Sequence, residues 1–266
     1  MTQTVAISGL GAIGWPIAQA LDQGIPGVLL IAVGARRRAV TEARVSAFDS
    51  PPRIVSLAEL CSADILIETT PSDVFLEVVR PAIQSRKTIL VMSAGALLRN
   101  ITLVDEARTT GARIFIPSGA IAGLDAVRAA SEGTIYRLIL ETRKLPLAFC
   151  GAPWVLQQEI YLSAIRSPRL LFSGNALEAV EAFPANANVA AALALSGPGF
   201  ERTEVRIWAD PTLTCNVHRI QLESDSVNLD TTIKALVSAT NPKTSGLAAY
   251  CAIAFLRSVT SCVKLT

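Results

Sequence analysis

Imidazole acid–base chemistry has one place to happen in this chain, because His218 is the single histidine among 266 residues. An unperturbed imidazole titrates at a pKa of about 6.5, so near neutral pH it can both accept and return a proton. The residue ends the stretch Asp210-Pro211-Thr212-Leu213-Thr214-Cys215-Asn216-Val217-His218, which reads as a loop entering a strand. Taken alone, it is open to a second reading as a structural histidine that makes one hydrogen bond.

A second feature with chemical content opens the chain. Gly9-Leu10-Gly11-Ala12-Ile13-Gly14 follows the apolar run Val5–Ser8 and leads into a helix-length segment, Ile13–Gln23. In that setting Gly9 permits a tight turn and Gly11 lets backbone approach a pyrophosphate. Gly14 allows helix and strand to pack closely. The backbone around Ala12 and Ile13 would present free N–H groups and the positive end of a helix dipole to the anion. NAD-selective sites place a carboxylate about 20 residues further on, to hold the ribose 2′-hydroxyl. Here the sequence reads Gly34-Ala35-Arg36-Arg37-Arg38, with cations at the place of a 2′-phosphate. Arg36 and Arg37 therefore point to NADP as an accepted cofactor alongside NAD, with a solvated basic loop as the alternative. Two later loops, Thr69-Thr70-Pro71 and Ser93-Ala94-Gly95-Ala96, should border the cofactor, with Thr70, Ala94 and Gly95 close to it. Pro117–Gly123 forms a third such loop, and Ser118 within it is a candidate for contact with substrate.

The elements that must position these residues follow from the apolar pattern. Val5–Ser8, Val28–Val33, Asp64–Glu68, Thr88–Met92 and Arg113–Ile116 are short runs separated by helix-length stretches such as Ser72–Arg86 and Asn100–Thr110. That cadence calls for an α/β Rossmann-type, doubly wound parallel sheet. After about Gly133 the pattern changes to longer alternating strands, Tyr136–Thr142, Thr203–Ala209 and Asn216–Glu223, around an alanine-rich helix at Asn186–Ser196. This half reads as an α+β domain with an open, mainly antiparallel sheet. The expected division is 1–134 for the dinucleotide domain, 135–244 for the substrate and dimerisation domain, and 245–266 for a helix returning to the first domain.

Composition narrows the class. Apolar residues at 51% and charged residues at 17% specify a globular chain. A net charge of +2 gives no reason to expect nucleic acid or an anionic membrane as partner. The five cysteines are scattered without close pairs, which suits reduced thiols in a cytoplasmic protein and argues against a zinc cage or disulfide framework. No secretory signal opens the chain, and no apolar stretch is long enough for a bilayer.

Several motifs in order resemble the L-aspartate dehydrogenase family. They are Pro117-Ser-Gly-Ala-Ile-Ala-Gly-Leu-Asp125, Thr142-Arg143-Lys144, and Phe183-Pro-Ala-Asn-Ala-Asn-Val-Ala-Ala-Ala-Leu193. Arg202-Thr203, Ala209-Asp210-Pro211, Asn216-x-His218 and Asn241-Pro-Lys-Thr-Ser245 follow. The resemblance implies reversible oxidative deamination of L-aspartate to oxaloacetate and ammonia through iminosuccinate, with NAD or NADP, in a homodimer that in some organisms feeds NAD biosynthesis. It assigns His218 to catalysis and Ala122 and Asn188 to the cofactor, where Asn188 by its position alone would be a helix cap. A dicarboxylic amino acid needs cationic or N–H partners. Lys243 and Thr244 are the first candidates, with Ser118 and Asn188 beside them, and Arg143 and Lys144 rank behind. Leu145 after Thr-Arg-Lys, the stretch Glu223–Asp230 and the plain Val237-Ser-Ala-Thr240 depart from the family pattern, which bears on the identity of the acid. A related amino-acid or imino-acid dehydrogenase and a catalytically silent NAD(P)-binding sensor are the competing readings.

Overall fold

The computed structural model describes residues 2–236 and 246–264. The chain divides into two units, Met1–Pro117 with Ala248–Thr266, and Ser118–Leu247.

In the first unit, short runs rich in Val, Ile and Leu pair into a six-stranded sheet. The strands are β1 (Gln3–Ile7), β2 (Val28–Gly34), β3 (Arg53–Val55), β4 (Ile65–Glu68), β5 (Thr88–Val91) and β6 (Arg113–Phe115). Their order is β3-β2-β1-β4-β5-β6, and every neighbouring pair is parallel. Parallel neighbours require crossovers, supplied in turn by α1 (Gly14–Asp22), α2 (Arg38–Val45), α3 (Phe75–Gln84), α4 (Ala94–Arg99) and α5 (Thr102–Thr110). Chain direction across the sheet reverses between β1 and β4, the position at which doubly wound sheets bind ligands beyond their strand ends. The core packs Val5, Ile7, Ile17, Ile65, Ile67 and Leu90 together with Ala249, Ala252 and Leu256. Those last three come from α10 (Gly246–Thr260). Each large apolar side chain so buried contributes about 1.5–3 kcal/mol before chain entropy is charged.

The second unit opens with α6 (Leu124–Ala130) and β7 (Ile135–Lys144), then α7 (Pro153–Gln157), β8 (Arg169–Asn175), α8 (Ala176–Ala182) and α9 (Asn188–Ser196). It ends with β9 (Glu204–Ala209), β10 (Asn216–Ser224) and β11 (Asn228–Ala235). The sheet order is β11-β10-β7-β9-β8, with β7–β9 parallel and the other three pairings antiparallel. Helix α8 begins on a capping box: Asn175 Oδ1 accepts from the Glu178 N–H at 3.0 Å, and Glu178 Oε2 accepts from the Asn175 N–H at 2.8 Å. It packs on β8, β9 and α9, and α9 meets α6. The packing of α6 on α9 explains why 118–134, drawn with the first domain from sequence, groups with the second unit.

Strand alternation decides which residues share the covered face of this sheet. Leu138, Leu140, Thr142 and Lys144 of β7 lie on it. Register sets Leu222, Ile220 and His218 of β10 opposite the first three of these. Val205, Ile207 and Ala209 of β9 stand opposite Leu140, Thr142 and Lys144 on the other side. The apolar rows thus end, toward the C-terminal end of β7, in three polar side chains.

Candidate active site

Those polar side chains form a buried cluster. His218 is 4% exposed and Lys144 5% exposed, so neither reaches solvent in the usual manner of its type. The Nδ1 of His218 lies 3.1 Å from Thr142 Oγ1, its direct neighbour across the strand pair. Its Nε2 engages no side chain among the described residues. Lys144 Nζ donates to Asn186 Oδ1 at 3.0 Å, and Asn186 Nδ2 donates to the Ala148 carbonyl at 3.3 Å. Burial, with the Lys144 charge second, holds the His218 imidazole down to about 3, well below the ordinary value expected from sequence. Burial alone pulls Lys144 to about 8. The pair is a neutral imidazole beside an ammonium, a base set next to a cation.

The neighbouring Arg143 points the other way. Its Nε donates to Glu141 Oε1 at 2.8 Å, and its guanidinium stacks over Trp208 at 4.6 Å. Asp210 is buried, but its Oδ1 accepts from the N–H and hydroxyl of Thr212 at 3.0 and 2.7 Å. Its Oδ2 lies 3.9 Å from Arg143. Asn188 is the first residue of α9 and exposed, while the capping position belongs to Ala187, so the helix-cap role open to Asn188 from sequence is not the one it takes. Ala122 is exposed in the loop before α6, and Ser118 is half-buried in the same loop, its carbonyl accepting from the Ile121 N–H. Lys243 and Thr244 lie outside the described residues. Asn186, two positions before Asn188 in the same motif, escaped the sequence reading. Its signal was an asparagine in an otherwise apolar run.

The first unit carries the other chemistry. A Cβ on Gly14 would stand 1.8 Å from the Gly9 carbonyl oxygen, so the start of α1 can press on the turn only if that residue is glycine. A Cβ on Gly11 would meet nothing within 4 Å. The absence of a side chain at Gly11 therefore leaves open space above the backbone, as a phosphate would need. Ala12 is exposed, Ile13 holds the capping position without a side-chain bond, and no acidic residue lies in the first turn of α1. These residues fit the pyrophosphate of a dinucleotide. Arg44 steadies the turn, donating to the Leu10 carbonyl at 3.0 Å while its guanidinium lies 4.1 Å over Trp15. Arg36, Arg37 and Arg38 are all exposed after β2, and Arg36 lies at the edge of ion-pair distance from Asp73, 3.9 Å.

At the end of β4 the sequence reading missed a buried carboxylate. Glu68 is 0% exposed, and its Oε1 accepts from the Thr70 N–H and hydroxyl at 2.8 and 2.9 Å. Its Oε2 accepts from the Ser93 N–H at 3.0 Å, and the Ser93 hydroxyl reaches Oε1 at 3.1 Å. Burial pushes this carboxyl above its usual range against the pull of those bonds. One side chain thereby ties together the two loops expected at the cofactor. Ala94 and Gly95, read as loop, are the buried first residues of α4.

Comparison with known proteins finds relatives for both parts of the chain. Residues 125–259 match the family model described as aspartate dehydrogenase, C-terminal. Residues 9–117 match the one described as homoserine dehydrogenase, NAD binding domain. The chain is 46% identical to an L-aspartate dehydrogenase of Bradyrhizobium diazoefficiens, over 95% of this chain and 90% of that protein. It is 39% identical to one of Methanosarcina barkeri, over 98% of both. Among solved structures, aspartate dehydrogenase of Thermotoga maritima shares the fold with a TM-score of 0.74 and 23% identity, covering 100% of each chain.

Proposed function

The chain belongs to the aspartate dehydrogenase family, and from that premise we propose that His218 is the acid–base group by which it interconverts L-aspartate with oxaloacetate and ammonia. The enzyme is an oxidoreductase acting on a CH–NH2 group with NAD or NADP. One observation carries the role of His218: its buried, neutral imidazole has Nδ1 held by Thr142 and Nε2 engaged by no side chain among the described residues.

A nicotinamide held at the glycine turn would supply the hydride acceptor for oxidation at the substrate Cα. His218 acts on what that leaves, iminosuccinate. Its Nε2 takes a proton from water as the water oxygen bonds to the imine carbon, giving a carbinolamine. It then returns that proton to nitrogen and accepts the hydroxyl proton of the carbinolamine as the C–N bond breaks, so that ammonia departs and oxaloacetate forms. Throughout, Nδ1–H donates to Thr142 Oγ1, which keeps the ring in one orientation whether neutral or charged. An imidazole at about 3 is a weak acceptor in the free protein. Two substrate carboxylates nearby raise that value toward the working pH, because opposite charges favour the protonated ring. General acid–base help of this kind contributes about 10²–10⁴ in rate.

The exposed arginines after β2 support acceptance of NADP. Cofactor contact by Gly9, Gly11, Ala12, Ile13, Gly14, Thr70, Ala122 and Asn188, and substrate contact by Ser118, belong to the same proposal. A homodimer is part of the same proposal, as the family likeness implies. A cytoplasmic location suits the free cysteines Cys61, Cys150, Cys215, Cys251 and Cys262. No helix of the described residues is long and apolar enough to cross a membrane.

Oxaloacetate and ammonia supplied with NADH or NADPH should give cofactor oxidation and L-aspartate as product, with pyruvate and 2-oxoglutarate much poorer. NADPH should be used with a KM no more than about tenfold above that for NADH, a difference of about 1.4 kcal/mol. Binding of cofactor without turnover of any 2-oxo acid would favour the silent sensor instead.

A further inference from the structure

Lys144 is an ammonium at 5% exposure whose one partner among the described residues is a neutral amide oxygen, Asn186 Oδ1. Among the described residues no carboxylate forms an ion pair with it. Glu141 lies on the opposite face of β7 and is engaged by Arg143. Asp210, the nearest buried acid in sequence to this end of the sheet, is committed to Thr212 and Arg143, and only its backbone N–H touches Lys144, at the carbonyl. Lysines ordinarily extend their stems so that the charge stays in water. This one is held among Thr142, His218 and Asn186 instead, where an unpaired charge is among the costliest things a fold can keep.

An ammonium offers three N–H donors and Asn186 accepts one, so two remain for an incoming group. That group must be an anion, since only an opposite charge offsets the burial. Resting on the aspartate reading above, we propose that Lys144 is the anchor for one carboxylate of the substrate, on the same sheet face as His218. Arg143 is excluded by strand alternation, although it stands next in sequence. The two polar neighbours on the face then have separate tasks: Lys144 fixes the acid, and His218 moves the proton. The ammonium also depresses proton affinity at His218, and a carboxylate seated on Lys144 relieves that repulsion. Arrival of the diacid thus readies the base.

Succinate, a diacid with no amine to oxidise, tests the anchor by calorimetric titration with the nicotinamide cofactor present. Lys144→Met and Lys144→Gln should each weaken succinate binding by about 30-fold or more, the loss expected when one partner of a buried charge pair is truncated. The preference for succinate over butyrate should collapse with it. Cofactor affinity should stay within twofold. Thermal midpoints of both variants should be no lower than that of the parent, because the uncompensated charge is gone; a purely structural lysine would show the reverse pattern. Succinate affinity within twofold of the parent in a folded Lys144 variant, with aspartate turnover retained by the parent, overturns the anchor alone. A parent that binds succinate through Lys144 but oxidises no aspartate supports the anchor and defeats the activity.

Discussion

A buried imidazole held neutral leaves a mark on stability as well as on catalysis. His218 sits at about 3 in the folded protein against 6.5 as its ordinary value. Between those values the unfolded chain binds a proton that the native state refuses, so stability falls as pH drops from 6.5 toward 3. Carboxylates with depressed values, such as Asp64 bonded to Thr4, act in the same direction at lower pH. The contribution of the histidine is therefore read from a difference. His218→Gln should flatten the fall in denaturant midpoint between pH 6.5 and 4, recovering about 1–3 kcal/mol at the acid end; parallel curves for variant and parent would refute the assignment. His218 could be picked from sequence because it is alone. Lys144 could be seen but not ranked, since Arg143 and Lys144 look equivalent until the register of β7 with β10 assigns them to opposite faces. Asn186 gave almost no signal, because its importance comes entirely from the lysine it meets.

At the scale of elements, Glu68 closes the gap between the ends of β4 and β5 with both carboxylate oxygens occupied by backbone N–H groups. Glu68→Gln keeps the volume but sets an NH2 group against one of those N–H donors. An unsatisfied buried donor costs about 1–3 kcal/mol. The Thr70 and Ser93 loops should part, and the dissociation constant for the cofactor should rise by about 5–150-fold, the equivalent of that cost. Affinity for succinate should change far less, and equal losses for both ligands would remove Glu68 from the positioning of these loops. The parallel sheet was legible because buried parallel strands are continuous apolar runs, and the glycine turn because its spacing follows such a run. The charged α2 and the three-residue β3 carry no such pattern. Strand β11 was missed because only its alternate residues are partly buried and its sequence, Asn-Leu-Asp-Thr-Thr-Ile-Lys-Ala, is mostly polar. Strand β8 ends in Ser-Gly-Asn, turn residues whose extended form is stabilised by pairing with β9.

Across the whole molecule, one chain builds a dinucleotide fold, leaves it for a mixed sheet that carries the acid–base cluster, and returns through α10 to finish the first core. The glycine turn and His218 belong to different units, and their effects should be separable by mutation. The soft point in the sequence was the 118–134 segment, whose loop belongs to the Rossmann cadence while its helix takes its packing partners from the second unit. The central claim is that His218 moves the protons of imine hydrolysis. Its most direct measurement is steady-state kinetics of His218→Ala with L-aspartate, alongside titration of the variant with NADPH and NADH. The account predicts kcat lower by about 10²–10⁴, with both cofactors bound within twofold of the parent. A variant that keeps kcat within a few-fold of the parent contradicts it.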